Sequence, residues 1–92
     1  TAAVAKAVVL DSNNKIVVTG YTIINNVNNA FVARYNIDGS LDLSFGVGGK
    51  VTRLVGTTSI ANAIVIDADG NIIIAGTATI SSKNNIFLLK YS

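Results

Sequence analysis

The strongest constraint on this chain is an internal repeat with a period of 56 residues. Residues 1–36 align with residues 57–92 without a gap, and twelve of these 36 pairs are identical. Many other pairs exchange one residue for a similar one, as Val8 and Ile64 do. A repeat of this period predicts copies of one small unit, which bury a continuous core only by stacking on each other.

Short apolar segments between turn-forming residues predict strands throughout the chain. The first unit, residues 1–56, contains four of them, at residues 4–10, 15–21, 30–36 and 50–54. Four strands per unit at this period predict an all-β fold of β-propeller-like, four-stranded antiparallel blades. The second unit, residues 57–92, is incomplete because it has counterparts of only the first three strands. Its third strand, Ile86 to Tyr91, is therefore predicted to be an unpaired sheet edge that contacts another chain or segment.

The alternation of side chains predicts how the blades pack. Ala5 and Ala7 are expected on one face of the first strand, with Val4 and Val8 on the other. Four further residues carry predictions of their own. A bulge or a close backbone approach is expected at Gly20 and Gly76. Phe31 and Phe87 are expected to be buried at equivalent positions between adjacent sheets.

The most distinctive segment is FVARYNIDGSLDLSFGVGGKV, which runs from Phe31 to Val51. Its glycines predict a shaped connection between two strands, with Phe45 as the hydrophobic anchor. The segment resembles the delta-60 repeat, a bacterial repeat family interpreted as β-propeller blades, whose typical segment reads ARYN-P-DGSLD-T-SFG-T-GGKV. The matches cover residues 33–36, 38–42, 44–46 and 48–51, and the departures are Ile37, Leu43 and Val47. The resemblance implies blade architecture and supplies no functional residues, because the family has no established activity.

The residue types present disfavour catalysis. The chain lacks Cys and His, and its five acidic residues are all Asp. Thiol nucleophiles, disulfides, zinc sites and the usual general base near neutral pH are thereby excluded. We therefore expect a protein that is not an enzyme and has no cofactor. The alternative is a fragment of a propeller enzyme that acts on glycans through Asp38 and Asp42.

Two Asp-containing segments allow a second chemical interpretation. Asp67-Ala68-Asp69-Gly70-Asn71 resembles the start of a calcium-binding loop. Its counterpart in the first unit places Lys15 at a ligand position, and no acidic residue closes the loop. The sequence therefore predicts Asp-Gly hairpin turns here, with no bound metal.

The connection between the second and third strands of each unit is the best candidate for ligand binding. Amides and hydroxyls on loops above a rigid sheet can bind glycans or peptides through adaptable hydrogen bonds. The alternative is that these residues only form polar turns, in which Asn tolerates a left-handed backbone. The candidate residues are Asn25, Asn26, Asn28, Asn29, Ser81, Ser82, Asn84 and Asn85.

Charge and hydropathy indicate which partners to expect. The seven basic residues are scattered along the chain, which argues against nucleic-acid binding. No apolar run approaches the roughly 18 residues of a membrane-spanning helix, so we expect no membrane insertion. Half of the residues are hydrophobic and the mean hydropathy is +0.53, so some apolar surface must be covered by a partner.

Two blades cannot close a propeller, which typically has about four to eight. The chain is therefore expected to be a piece of a longer repeat protein or to associate with other copies of itself. A homotrimer would close a six-bladed ring, and an open filament is the other arrangement. Together with the resemblance, these features predict a scaffold or protein-binding module of a bacterial cell-surface or secreted, extracellular protein.

Overall fold

The computed structural model describes residues 2–91, which form two antiparallel sheets. The first sheet contains β1 (Ala3–Leu10), β2 (Ile16–Ile24), β3 (Val27–Tyr35) and β4 (Lys50–Arg53). The second contains β5 (Thr58–Ile66), β6 (Ile72–Ile80) and β7 (Lys83–Tyr91). In both sheets the spatial order of the strands follows the chain. The predicted all-β class of blade-like antiparallel sheets is confirmed, and within residues 2–91 no helix is long and apolar enough to cross a membrane.

The strands β2 and β3 extend further towards their connection than the sequence predicts. Their pairing continues from Thr22 opposite Asn29 to Ile24 opposite Val27. The connection is consequently a two-residue turn and not the predicted loop of residues 22–29. Asn25 and Asn26 form this turn with φ angles of 53° and 65°, the left-handed pair of a type I′ turn, whose twist matches that of the strands. The second unit repeats it with two serines, so the predicted loop of residues 78–85 is also wrong.

A β-bulge interrupts β1 and moves its side chains to different faces than predicted. The register shifts between Ala5 and Ala7, which pair with Gly20 and Thr19. Because those two partners lie on opposite faces of β2, Ala5 and Ala7 do not share a face, and the simple alternation was wrong. The prediction of a bulge or close approach at Gly20 is confirmed, since a Cβ there would collide with the Val4 carbonyl oxygen. In the second unit, a Cβ at Gly76 would likewise collide with the Ile60 carbonyl oxygen.

The core lies between the two sheets, and each sheet uses a different face to form it. Val17 and Val32 of the first sheet pack in one cluster with Ile72, Ile74 and Phe87 of the second. Strand β5 lies against β1, β2 and β3. Because the repeat pairs Val17 with Ile73 and Val32 with Leu88, the face that the first sheet buries corresponds to the outward face of the second. The two sheets therefore stack in the same orientation, as successive units of a repeat do.

The connection from β3 to β4 inserts its aromatic residue into this core. Phe45 is 5% exposed and belongs to the same cluster as Val32 and Phe87, which confirms its predicted role as an anchor. The backbone that follows needs glycine, because Gly46 has a φ of 54° and a Cβ there would collide with the Lys50 carbonyl oxygen. The connection is thus a folded segment that contributes to the core.

The two phenylalanines were predicted to be equally buried between sheets, but only one of them is. Phe87 is buried between the sheets, at 9% exposure. Phe31 is half-buried and points from the opposite face of the first sheet, where the described residues supply no second sheet. The sequence identified the same position in both units, but it could not indicate that only one of them faces a neighbour within this chain.

Candidate functional site: the rim turns and the open sheet faces

The predicted ligand-binding residues of the first unit divide between a turn and a strand. Asn25 and Asn26 form the exposed type I′ turn, whereas Asn28 and Asn29 lie in β3. The Asn29 side-chain amide donates a hydrogen bond to the Val27 carbonyl at 3.0 Å. All four side chains therefore lie at one end of the sheet. The turn by itself favours asparagine at positions 25 and 26, because both residues have positive φ.

The second unit has the same arrangement. Ser81 and Ser82 form the turn with φ angles of 52° and 64°, and Asn84 and Asn85 lie exposed in β7. The Asn85 side-chain amide donates to the Lys83 carbonyl at 3.1 Å, which repeats the bond made by its counterpart Asn29. A small groove of about 100 Å³ next to the turn is lined by seven residues: Thr58, Ser59, Ile60, Thr77, Ala78, Thr79 and Asn84. These rim residues offer amide and hydroxyl groups, and Lys83, which closes the second turn opposite Ile80, adds one positive charge.

The carboxylate of Asp42 is the centre of a polar cluster beneath the first sheet. One oxygen, Oδ2, lies 2.9 Å from both Arg34 Nε and Lys15 Nζ. The other, Oδ1, accepts hydrogen bonds from the Ser44 hydroxyl at 2.6 Å and the Ser44 amide at 3.1 Å. These bonds, that from the Ser44 hydroxyl most of all, hold the pKa of Asp42 far below its ordinary value of 3.8. Asp42 therefore remains ionised and has no proton to donate as a general acid.

The same cluster holds the connection from β3 to β4, called the long connection below, against the first sheet. The guanidinium carbon of Arg34 lies 4.7 Å from the centre of the Phe45 ring, a cation–π distance. Asp38 is engaged separately, since its Oδ1 accepts from the hydroxyl and amide of Ser40. The hydroxyl bond is the main cause of a lowered pKa at Asp38. The geometry thus places both Asp residues in turns.

The two hairpin turns between the first strands of each unit use an aspartate in the same way. Asp67 Oδ1 accepts from the backbone amides of Asp69 and Asn71, both at 2.9 Å. Asp11 accepts from the corresponding amides of Asn13 and Lys15. The Asn71 amide is the main cause of a lowered pKa at Asp67. Within residues 2–91 no group of three or more His, Cys, Asp or Glu side chains could hold a metal ion.

The first sheet presents an apolar face against which the described residues place no second sheet, and we call it the first open face. Its members alternate with the core residues along β1, β2 and β3, and two of them, Val8 and Leu10, are 63% and 61% exposed. A groove of about 460 Å³ crosses this face and is lined mainly by apolar atoms, including those of Phe31 and Ala33. Its main apolar members are Val8, Leu10, Ile16, Val18, Phe31, Ala33 and Tyr35, and Lys50 and Thr52 of β4 lie on the same face.

The second sheet presents another apolar face on the far side of the molecule, the second open face. Its members pair across strands β5, β6 and β7 and point away from the core. Ile86 and Leu88 are 83% and 68% exposed, although large apolar side chains at such exposure are costly unless a partner covers them. Its main apolar members are Val65, Ile73, Ala75, Ile86 and Leu88, and the polar residues Thr77 and Lys90 lie on the same face.

One signal in the sequence is consistent with these faces, although it does not locate them. Val17, Thr19, Ala30 and Val32 are all fully buried in the first sheet. Their counterparts at a distance of 56 residues are Ile73, Ala75, Ile86 and Leu88. All four counterparts are therefore apolar, and three of them are larger, at positions that are open in the second unit. Without the sheet stacking, however, the sequence alone cannot indicate which face of each unit is open.

Comparison with known proteins identifies one matching family of domains. It is described as a β-propeller domain of unknown function, DUF5122, and it matches residues 12–45 and 68–92. The two matched segments begin at Ser12 and Ala68, which are equivalent positions of the internal repeat. The match therefore supports both the β-propeller fold and the repeat register. No curated protein and no solved structure matches the chain.

Proposed function

Because the chain belongs to the family of DUF5122 β-propeller domains, we propose that it is a non-catalytic structural and interaction module whose two blades associate with further blades. The observation that carries this proposal is the pair of open faces. Each sheet buries one apolar face against the other sheet, and its second apolar face is open among the described residues. Since propellers typically contain about four to eight blades, further blades are the natural cover for both faces.

The finer parts of the proposal rest on the resemblance of residues 33–51 to the delta-60 repeat. That resemblance favours a bacterial protein that is secreted or held at the cell surface. The further blades would come from additional repeats of a longer protein or from other copies of this chain. A glycan or a peptide would bind at the rim turns, where Asn25, Asn26, Ser81 and Ser82 are exposed.

The contacts of the aspartates support a non-catalytic role. A glycan hydrolase needs one carboxylic acid with a raised pKa and one free carboxylate. The pKa values of Asp38 and Asp42 are both lowered, and Asp42 is occupied by Ser44, Arg34 and Lys15. These contacts suit a structural ion-pair cluster better than an acid–base pair.

Light scattering of the purified chain over a wide concentration range tests the proposal. We expect the mass to rise above the 9.5 kDa of one chain as the concentration increases, because association covers the open faces. Circular dichroism should show β structure throughout. A folded chain that stays at the mass of one copy at every concentration would contradict self-association.

A further inference from the structure

We propose that the first open face of one copy of this chain receives the second open face of another copy, in the arrangement that the two sheets have within one chain. This inference rests on the proposed function and adds which surfaces meet. Its basis is that both sides of the internal sheet–sheet contact are repeated, by the 56-residue period, on the two open faces.

The second open face corresponds to the side that the first sheet contributes to the core. Val32 is fully buried in that core, and its counterpart Leu88 occupies the same place on the second open face. Ala30, also fully buried, corresponds to Ile86. The second sheet thus carries a surface of the kind that already packs inside the chain, with larger side chains at both positions.

The first open face corresponds to the side that the second sheet contributes. Ile74 and Phe87 are buried in the core, and their counterparts Val18 and Phe31 lie on the first open face. Val8 corresponds to Ile64, which packs against the core. The groove of about 460 Å³ beside Phe31 supplies the space into which apolar side chains of a second copy would fit.

The internal contact also predicts which individual residues approach each other. The buried Ser59 hydroxyl accepts a hydrogen bond from the Ala30 amide at 3.2 Å and donates one to the Arg53 carbonyl at 3.1 Å. The counterparts of Ser59 and Ala30 are Ala3 and Ile86. Ala3 lines the groove of the first open face, so Ala3 of one copy should lie beside Ile86 of the next.

Such a contact joins two different surfaces and therefore adds copies head to tail. Three copies would close a ring of six blades, within the usual range of propellers. The second sheet has no counterpart of Phe45 among the described residues, so the contact between copies should be weaker than the internal one.

Two charge substitutions on opposite faces, together with their mixture, test the proposal. Val8→Lys blocks the first open face and Leu88→Lys blocks the second, and both positions are exposed enough to tolerate lysine in the folded chain. Leu43→Lys, at a position 73% exposed in the long connection, is the control. Circular dichroism monitors the strands, and Ile86→Lys replaces Leu88→Lys if that variant loses them.

We expect each blocked variant alone to have the mass of one copy at concentrations at which wild type and Leu43→Lys associate. An equimolar mixture should form a dimer that contains one of each, because the intact second face of one variant fits the intact first face of the other. If wild type associates but a blocked variant associates equally well alone, or the mixture stays dissociated, the head-to-tail contact is wrong and the proposed module stands. If wild type itself never associates, copies of this chain do not cover each other's open faces, and both the head-to-tail contact and the proposed self-association are wrong.

Discussion

At the scale of single residues, Asp42 connects the long connection to the first sheet. Its side chain is 7% exposed and has two cationic partners, Lys15 and Arg34, together with two hydrogen bonds from Ser44. Removal of one partner from such a buried cluster leaves uncompensated charge. Since Arg34 also stacks on Phe45, the cluster holds the aromatic anchor in the core.

The pH dependence of stability should report this cluster. A carboxyl group whose pKa is lower in the folded than in the unfolded state contributes stability that is present above about pH 4 and is lost as the pH falls towards the folded pKa. Asp42 has a lowered pKa, so wild type should become less stable on acidification. Asp42→Asn should be less stable than wild type at neutral pH, and its stability should decline less steeply with acid.

The measurement is the urea midpoint of each variant at a series of pH values from neutral down to about pH 3. The slope of Asp42→Asn should be reduced but not abolished, because the pKa values of Asp38 and Asp67 are also lowered. Leu43→Ala, which changes a non-titrating, exposed side chain in the same connection as Asp42, is the control and should keep the wild-type slope. An unchanged slope in Asp42→Asn would show that the cluster does not stabilise the fold.

At the scale of elements, the two type I′ turns have the same backbone but different residues. Both central residues of each turn have positive φ, a conformation that costs L-residues roughly 1–2 kcal/mol, with Asn as a partial exception. The first turn has two asparagines, which suit it, whereas the second has two serines, which do not. The second turn therefore stores more strain than the first.

Glycine at the second turn position should release this strain. We expect Ser82→Gly to raise the free energy of unfolding by about 1 kcal/mol, less the entropy that glycine adds to the unfolded chain. Asn26→Gly is the matched change in the first turn and should give a smaller gain. Urea unfolding of both variants measures the difference. A larger gain at Asn26 than at Ser82 would contradict the assignment of strain to the serine turn.

The elements also show what the sequence could and could not predict. Hydrophobic segments and turn residues located all seven strands, and the repeat identified equivalent positions such as Phe31 and Phe87. The turn lengths were missed because Asn28 and Asn29 are polar but pair as strand residues. The faces of Ala5 and Ala7 were predicted wrongly because a bulge moves side chains to the other face of the strand, and the nearby Gly20 is its only signal in the sequence.

The candidate site was less predictable than the fold. The rim residues were located at one end of each sheet, but their role in binding stays a prediction. The open faces were not predicted, because apolar residues on both faces of a strand indicate that both faces are buried but not which element covers each of them. Only the stacking of the two sheets reveals that Leu88 is exposed where its counterpart Val32 is covered.

At the scale of the whole molecule, the chain is two stacked β-propeller blades with an open apolar face at each end. Each end resembles one side of the contact in the middle, so the molecule has the form of one segment of a repeating array. Head-to-tail addition of copies would bury both ends at once.

Disulfide cross-linking can detect the head-to-tail contact between copies, because the chain contains no cysteine of its own. Ala3→Cys and Ile86→Cys change two exposed positions that the repeat relation places next to each other in neighbouring copies. When the two variants are mixed under oxidising conditions, we expect the mixed dimer linked from position 3 to position 86 to dominate. Dominance of dimers linked between identical positions, or the same yield as for an Ala3→Cys and Leu43→Cys control pair, would contradict the head-to-tail contact.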